Sequence, residues 1–142
     1  MRTIKFRGKR IDNGEWVYGY YYFETFLNDK PDCSMIVEHR PDLMLVSGAA
    51  DNNNWWREVV PESVGEFTGL KDKNGKEIYE GDIVKFKGNI IGKIMWGNKR
   101  MAYFFADKEN NGSELGFIIH CRKGELPKII GNIYEHSELL KQ

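Results

Sequence analysis

Residues 64–84 read Val-Gly-Glu-Phe-Thr-Gly-Leu-Lys-Asp-Lys-Asn-Gly-Lys-Glu-Ile-Tyr-Glu-Gly-Asp-Ile-Val. Two β-like runs, 67–71 and 76–79, flank Asn74-Gly75. Asn and Gly both tolerate the positive φ of a type I′ turn, so the pattern predicts a tight hairpin. A second pair, Asn13-Gly14, predicts another between residues 3–11 and 15–25. Beyond 84, runs at 82–87, 90–96, 101–106, 116–120 and 128–133 alternate with the breakers Gly88-Asn89, Gly97-Asn98, Asn110-Asn111-Gly112 and Lys123-Gly124. Five short strands at near-even spacing imply a small barrel. Residues 136–141, which hold Glu-Leu-Leu, read as a short helical turn closing it.

The N-terminal part is also β-rich. From Trp16 to Phe23 nearly every residue is bulky, and strand periodicity sends Trp16, Tyr18, Tyr20 and Tyr22 to one face and Val17, Gly19, Tyr21 and Phe23 to the other. Such a strand is expected to be covered on both sides or to lie at an interface. Between 26 and 54 the pattern weakens into loop, with short strands expected at 35–39 and 55–60. Pro61-Glu62 marks the expected boundary between an N-terminal β-rich region, 1–60, and a C-terminal barrel, 61–142.

The 142 residues carry 21 basic and 21 acidic side chains. Zero net charge argues against a general electrostatic nucleic-acid binder and against a membrane-surface role. No apolar run approaches the roughly 20 residues needed to span a bilayer, and the first ten residues hold no apolar signal core. These features predict a cytoplasmic protein of the host cell with no membrane partner. Two cysteines, Cys33 and Cys121, are too few for a disulfide framework.

Several stretches together resemble the YopX family, small proteins of phages and prophages. They are residues 69–76, Gly-Leu-Lys-Asp-Lys-Asn-Gly-Lys, and 79–84, Tyr-Glu-Gly-Asp-Ile-Val, then 131–135, Gly-Asn-Ile-Tyr-Glu, with Glu138-Leu139-Leu140. Lys5-Phe6-Arg7-Gly8 and residues 14–19, Gly-Glu-Trp-Val-Tyr-Gly, fit as well. Residues 26–57 match no part of the pattern. Where family members commonly carry Asn-Pro before the final Glu-Leu-Leu, this chain has His136-Ser137, which moves the expected helix start so that Ser137 caps it. The resemblance implies an SH3-type barrel in the C-terminal half. It brings no activity, since the family has no established biochemical function.

The chemistry-bearing residues give few leads. Gly81-Asp82 reads as an Asx turn entering a strand rather than a catalytic carboxylate. The charges at Lys71, Asp72, Lys73, Lys76 and Glu77 read as a solvated hairpin tip. Cys33 and His39 are too far apart, and His120-Cys121 too close on a strand, to form a metal site by ligand spacing. There is no Cys signature, nucleophile elbow, Walker loop or Rossmann fingerprint. No catalytic residue, cofactor or metal is therefore expected.

Two features favour binding. Arg2, Lys5, Arg7, Lys9 and Arg10 form an acid-free start, followed in 11–60 by three basic against nine acidic residues. The basic edge suits phosphates or an acidic partner, or it simply blunts an edge strand or is neutralised by the acidic middle. The aromatics Trp16, Tyr18, Tyr20, Tyr22, Trp55 and Trp56 suit a protein interface, base stacking or a core. The resulting expectation is a non-enzymatic phage or prophage accessory protein that binds another protein or itself. The alternatives are a nucleic-acid-associated protein using Arg2, Arg7 and the aromatics, and an enzyme of unknown class.

Overall fold

A computed structural model describes residues 3–25, 32–38, 55–99, 101–107 and 124–141. Its strands are β1 (Phe6–Lys9), β2 (Trp16–Glu24), β3 (Cys33–Glu38), β4 (Trp56–Val59), β5 (Gly65–Lys71), β6 (Glu77–Tyr79), β7 (Asp82–Lys85), β8 (Ile91–Gly97), β9 (Ala102–Asp107) and β10 (Lys128–Asn132). Helical structure among these residues is limited to short 3-10 turns at Pro61–Ser63, Lys87–Asn89 and Ser137–Leu140. The protein is mainly β and antiparallel. The chain forms two units, Ile4–Glu66 and one beginning at Phe67, so the division falls within β5.

In the first unit β1, β2, β3 and β4 pair in succession, and the start of β5 pairs with the other side of β1 through Arg7↔Gly65 and Phe6↔Glu66. The outer side of β4 returns to the residues just past β1. Arg10 bridges Val59, Ile11 N donates to Glu58 O at 3.1 Å, and Val60 N donates to Lys9 O at 2.8 Å. This curl encloses a small core of Val17, Ile36 and Val59, with Phe6 and Val64 packed on it. Ser63 helps hold the curl: its hydroxyl accepts Lys9 N–H and donates to Val60 O.

In the second unit the strands run β10-β7-β8-β9 in one antiparallel sheet. Its core is Ile78, Val84, Phe86, Ile94 and Phe105, with Phe86 and Phe105 edge to face at 5.1 Å. The described strands do not close into a barrel, and the expected strand at 116–120 lies outside the described residues.

Both Asn-Gly hairpins form, but neither is type I′. The asparagines keep negative φ, and only Gly14 (φ 71°) and Gly75 (φ 81°) enter the left-handed region. At the second hairpin Gly75 N bonds Asp72 O and Asp72 N bonds Lys76 O. That is a three-residue loop, a type I turn followed by a left-handed glycine. The reason lies one turn upstream: the Asp72 carboxylate accepts from Asn74 N and Lys76 N, which fixes Asn74 in the right-handed region. At the first hairpin Arg10 and Glu15 close a four-residue loop, and the Asn13 side chain accepts from Glu15 N. The consecutive left-handed residues occur instead at Gly88 (φ 78°) and Asn89 (φ 63°), between β7 and β8.

At Gly81-Asp82 the glycine supplies the awkward φ read from sequence, but the Asp82 bond runs back three residues rather than to the N–H two residues on that closes an Asx turn. Gly81 has φ 83°, and buried Asp82 accepts the Tyr79 N–H at 2.8 Å. At the end of the chain Ser137 is the first residue of the 3-10 turn, and His136, not Ser137, occupies the cap position, without a side-chain cap bond. The turn is anchored from β10 by Asn132. Its Oδ1 accepts from Tyr134 N and Glu135 N at 3.0 Å each, and its Nδ2 donates to Glu135 Oε2. Asn132→Ala orphans two part-buried N–H groups and is expected to cost about 2 kcal/mol. Urea denaturation of the full chain measures this, and a midpoint equal to wild type would refute the anchoring role.

Candidate functional site

The aromatic run of β2 is built into one face of the first unit's sheet. Alternation sends Val17 and Gly19 into the core and leaves Trp16, Tyr18, Tyr20 and Tyr22 on the other face. The expectation that both faces are covered does not hold: Tyr18, Tyr20 and Tyr22 are exposed, Tyr20 by 54%. Register then adds partners from other strands. Tyr20 lies opposite Val37, which lies opposite Trp56; Tyr22 lies opposite Met35, which lies opposite Glu58. Residues directly opposite in antiparallel strands share a face. Tyr20, Val37 and Trp56 therefore make a row across three strands, and Trp56 is 48% exposed.

On the β1 side the same face carries Arg7 opposite Tyr18 and Lys9 opposite Trp16. Arg7 is only 5% exposed, and its guanidinium carbon lies 4.8 Å from the Trp16 ring centroid. This cation–π contact makes Arg7 a support for Trp16 rather than an outward-facing charge. Arg10 is bound bidentately by Asp12 and lies 3.9 Å from Glu15. The Asp12 hydrogen bonds hold the Arg10 pKa above its usual value and that of Asp12 below. The basic start is thus largely used within the unit. At the far corner the Cys33 thiol is pushed up, first by desolvation and then by Glu58, Glu24 and Asp32, which mark an acidic patch.

The sequence-derived site residues divide accordingly. Trp16, Tyr18, Tyr20 and Trp56 come together on one face, with Arg7 beneath Trp16. Trp55 precedes β4, is exposed, and accepts Glu38 N at 2.9 Å. Arg2 lies outside the described residues. Tyr21 packs on Phe6, with centroids 5.6 Å apart, and its hydroxyl meets Ser34 Oγ. Sequence reasoning missed the contributions of Val37 and Glu58, because cross-strand register is not written in local alternation. A cleft of about 250 Å³ adjoins Trp56, lined by Arg10, Asp12, Arg57 and Glu58. Its two guanidiniums and three flanking carboxylates, including Glu38 at 3.4 Å from Arg57, leave no uniform charge for a ligand.

His39, His120 and Cys121, weighed as metal ligands from sequence, lie outside the described residues. Among the described residues no three His, Cys, Asp or Glu side chains gather as a metal-binding group. No described helix is long and apolar enough to cross a membrane.

A family model described as YopX protein matches residues 5–141. The chain belongs to the YopX family. No curated protein matches it.

Proposed function

We infer that this YopX-family protein works by binding another protein through the aromatic face of its N-terminal sheet, without a catalytic role. The observation that carries the reading is the cross-strand row of Tyr20, Val37 and Trp56, whose two aromatics are exposed on either side of a half-buried valine, flanked by Tyr18 and Tyr22. Apolar aromatics clustered on a rigid sheet match the centre of a protein interface, where Tyr and Trp are enriched. A nucleic-acid face needs outward cations beside its stacking platforms. Here Arg7 is buried against Trp16, Arg10 is tied to Asp12, and Glu24 and Glu58 share the aromatic face. The protein reading is therefore preferred to the nucleic-acid one. The setting that fits family membership is a phage or prophage accessory role in the host cytoplasm. An SH3-type barrel for the C-terminal half belongs to the same proposal, supported by the β7-β8-β9 meander with β10 returning beside β7.

The test is a pull-down with tagged full-length protein from lysate of a phage-carrying bacterial host, with and without nuclease. The expected result is a protein partner that survives nuclease and is lost with Tyr20→Glu. Recovery of nucleic acid, or of partners only without nuclease, would overturn the reading. So would partners retained equally by Tyr20→Glu.

A further inference from the structure

We propose that the edge of β2 at Tyr21 and Phe23 is a strand-addition site, and that its occupant is an extended segment of another protein that carries lysine or arginine. The inference rests on the protein-binding reading above and names the mode of binding and the chemistry of the partner.

The open edge follows from the register and hydrogen-bond phase of the sheet. β1 accompanies β2 only from Trp16 to Gly19, whereas β3 accompanies it on the other side from Gly19 to Glu24. Arg10 N donates to Glu15 O, so every second pair along β1, Phe6↔Gly19 included, turns its N–H and C=O groups toward each other. Glu38 N donates to Trp55 O, which sends the groups of Ile36 and Ser34 to β4 and those of Val37, Met35 and Cys33 to Tyr20, Tyr22 and Glu24. The two bonds give one phase. The N–H and C=O of Tyr21 and Phe23 point away from β3, on the side where β1 has ended. Among the described residues no strand pairs there, and residues 3–5 are not in strand.

The side chains make this edge apolar, and its surroundings make it acidic. Tyr20, Tyr21, Tyr22 and Phe23 are each 38–54% exposed, on both faces of the strand. An exposed apolar edge with outward main-chain groups is a template for another strand, and proteins that leave such an edge unused blunt it with lysine, proline or a bulge. From Tyr20 to Glu24, β2 has none of these. Glu24 ends the strand, exposed Asp32 leads into β3 beside it, and residues 24–32 hold Glu24, Asp29 and Asp32 against Lys30 alone. After burial, the charges of Glu58, Glu24 and Asp32 raise the neighbouring Cys33 thiol. Lys5 stands at the other end of the edge, just before β1, but the unit Ile4–Glu66 holds eleven acidic against seven basic residues. Cations on an incoming strand meet these carboxylates and lie over the tyrosine rings. A second copy would set the same acids side by side, and a nucleic acid would bring phosphates to them.

Amide hydrogen exchange of the full chain, read by NMR, tests the edge and its occupant together. In the free protein the Tyr21 and Phe23 N–H groups are expected to exchange about tenfold or more faster than those of Tyr20 and Tyr22, which bond β3. A short synthetic peptide alternating lysine with valine and threonine should slow both, and should bind about tenfold more tightly than its glutamate counterpart. Phe23→Pro removes an outward N–H without touching the β3 ladder, and should abolish binding while keeping the wild-type circular dichroism spectrum. Phe23→Thr keeps the N–H and should lose only about threefold. Tyr21 and Phe23 amides already protected in the free protein would overturn the open edge. Equal binding of the two peptides, binding of neither, or equal losses from the two Phe23 variants would also overturn the inference. Should Phe23→Pro not fold, the exchange pattern and the peptide pair still decide. A dimer of this chain that Phe23→Pro disrupts would overturn only the identity of the partner. If the pull-down partner is lost with Tyr20→Glu but kept by Phe23→Pro, strand addition falls and the aromatic-face reading stands. If both variants keep it, both readings fall.

Discussion

Replacing Asp72 with alanine is expected to destabilise the protein by about 3 kcal/mol, from three orphaned N–H groups at about 1 kcal/mol each. Asp72 is 3% exposed although it stands at a hairpin tip. Its Oδ1 accepts from Asn74 N at 2.8 Å and Lys76 N at 2.9 Å, while Oδ2 accepts from Ile129 N at 3.2 Å. One carboxylate thus shapes the turn and ties it to β10, beside the Lys73 N bond to Pro127 O. Asp72→Asn separates the two roles. The amide oxygen can keep both hairpin bonds, but its NH₂ then faces the Ile129 N–H, donor against donor. The expected cost is about 1–2 kcal/mol, between wild type and alanine. The two variants should lower Tm by about 10 °C and about 5 °C respectively. Equal losses would refute the division of labour between the two oxygens, and no loss would refute the tie itself.

The same carboxylate predicts an acid limb. Burial pushes the Asp72 pKa up, but the N–H groups of Lys76, Ile129 and Asn74 and the Lys76 charge outweigh it, and the net shift is downward. A folded-state value below the unfolded one of about 3.9 favours the folded state above that pH. The contribution is lost as pH falls below about 4 and through the lower folded value. Wild-type stability should therefore drop in that window, and the Asp72→Asn profile should be flatter there. Denaturation midpoints from pH 2 to pH 6 would show the difference.

Asp72 also shows what the sequence made legible. The motifs that identify the family contain Asp72, Gly75, Gly81, Asp82 and Asn132, and each of these shapes a turn or satisfies backbone groups locally. Turn chemistry acts over three or four residues, so a single sequence reveals it. Hence the hairpins, most strand positions and the positive φ of Gly81 could be anticipated. The turn type could not, because Asn-Gly alone did not show that Asp72 would hold Asn74 right-handed. The aromatic face was half legible for the same reason. Alternation put Trp16, Tyr18, Tyr20 and Tyr22 together, but pairing with β3 and β4 decides whether Trp56 and Glu58 join them. That pairing links residues far apart in sequence. The basic start divides: Arg10, tied to Asp12, follows neutralisation by the acidic residues after it, whereas β1 is paired on both sides rather than an edge, and Arg7 is spent on Trp16.

Gly19→Ala is expected to be as damaging as Asp72→Ala, and for a reason that bears directly on the proposed site. Gly19 lies between Tyr18 and Tyr20 on the core side of β2, opposite Glu38. A Cβ added there runs into the Val37 carbonyl oxygen and stands 2.7 Å from its carbon and 3.0 Å from Glu38 Cα. These are backbone atoms, which cannot rotate aside as a flexible side chain would. The methyl group must force β2 and β3 apart, at a cost of about 3 kcal/mol, the upper part of the range for overpacking. That corresponds to about 10 °C in Tm for a chain of this length. The two strands also align Tyr20 with Trp56 and hold Ile36 against Val17 and Val59. Gly19→Ala should therefore lose partner binding and fold stability together, whereas Tyr20→Glu, one residue away and exposed, should lose partner binding alone. Thermal melts paired with the pull-down on both variants separate the two effects. A Gly19→Ala protein that melts with wild type would mean that β2 and β3 do not pair in this register. The row from Tyr20 to Trp56, and the binding face built on it, would fall with that pairing.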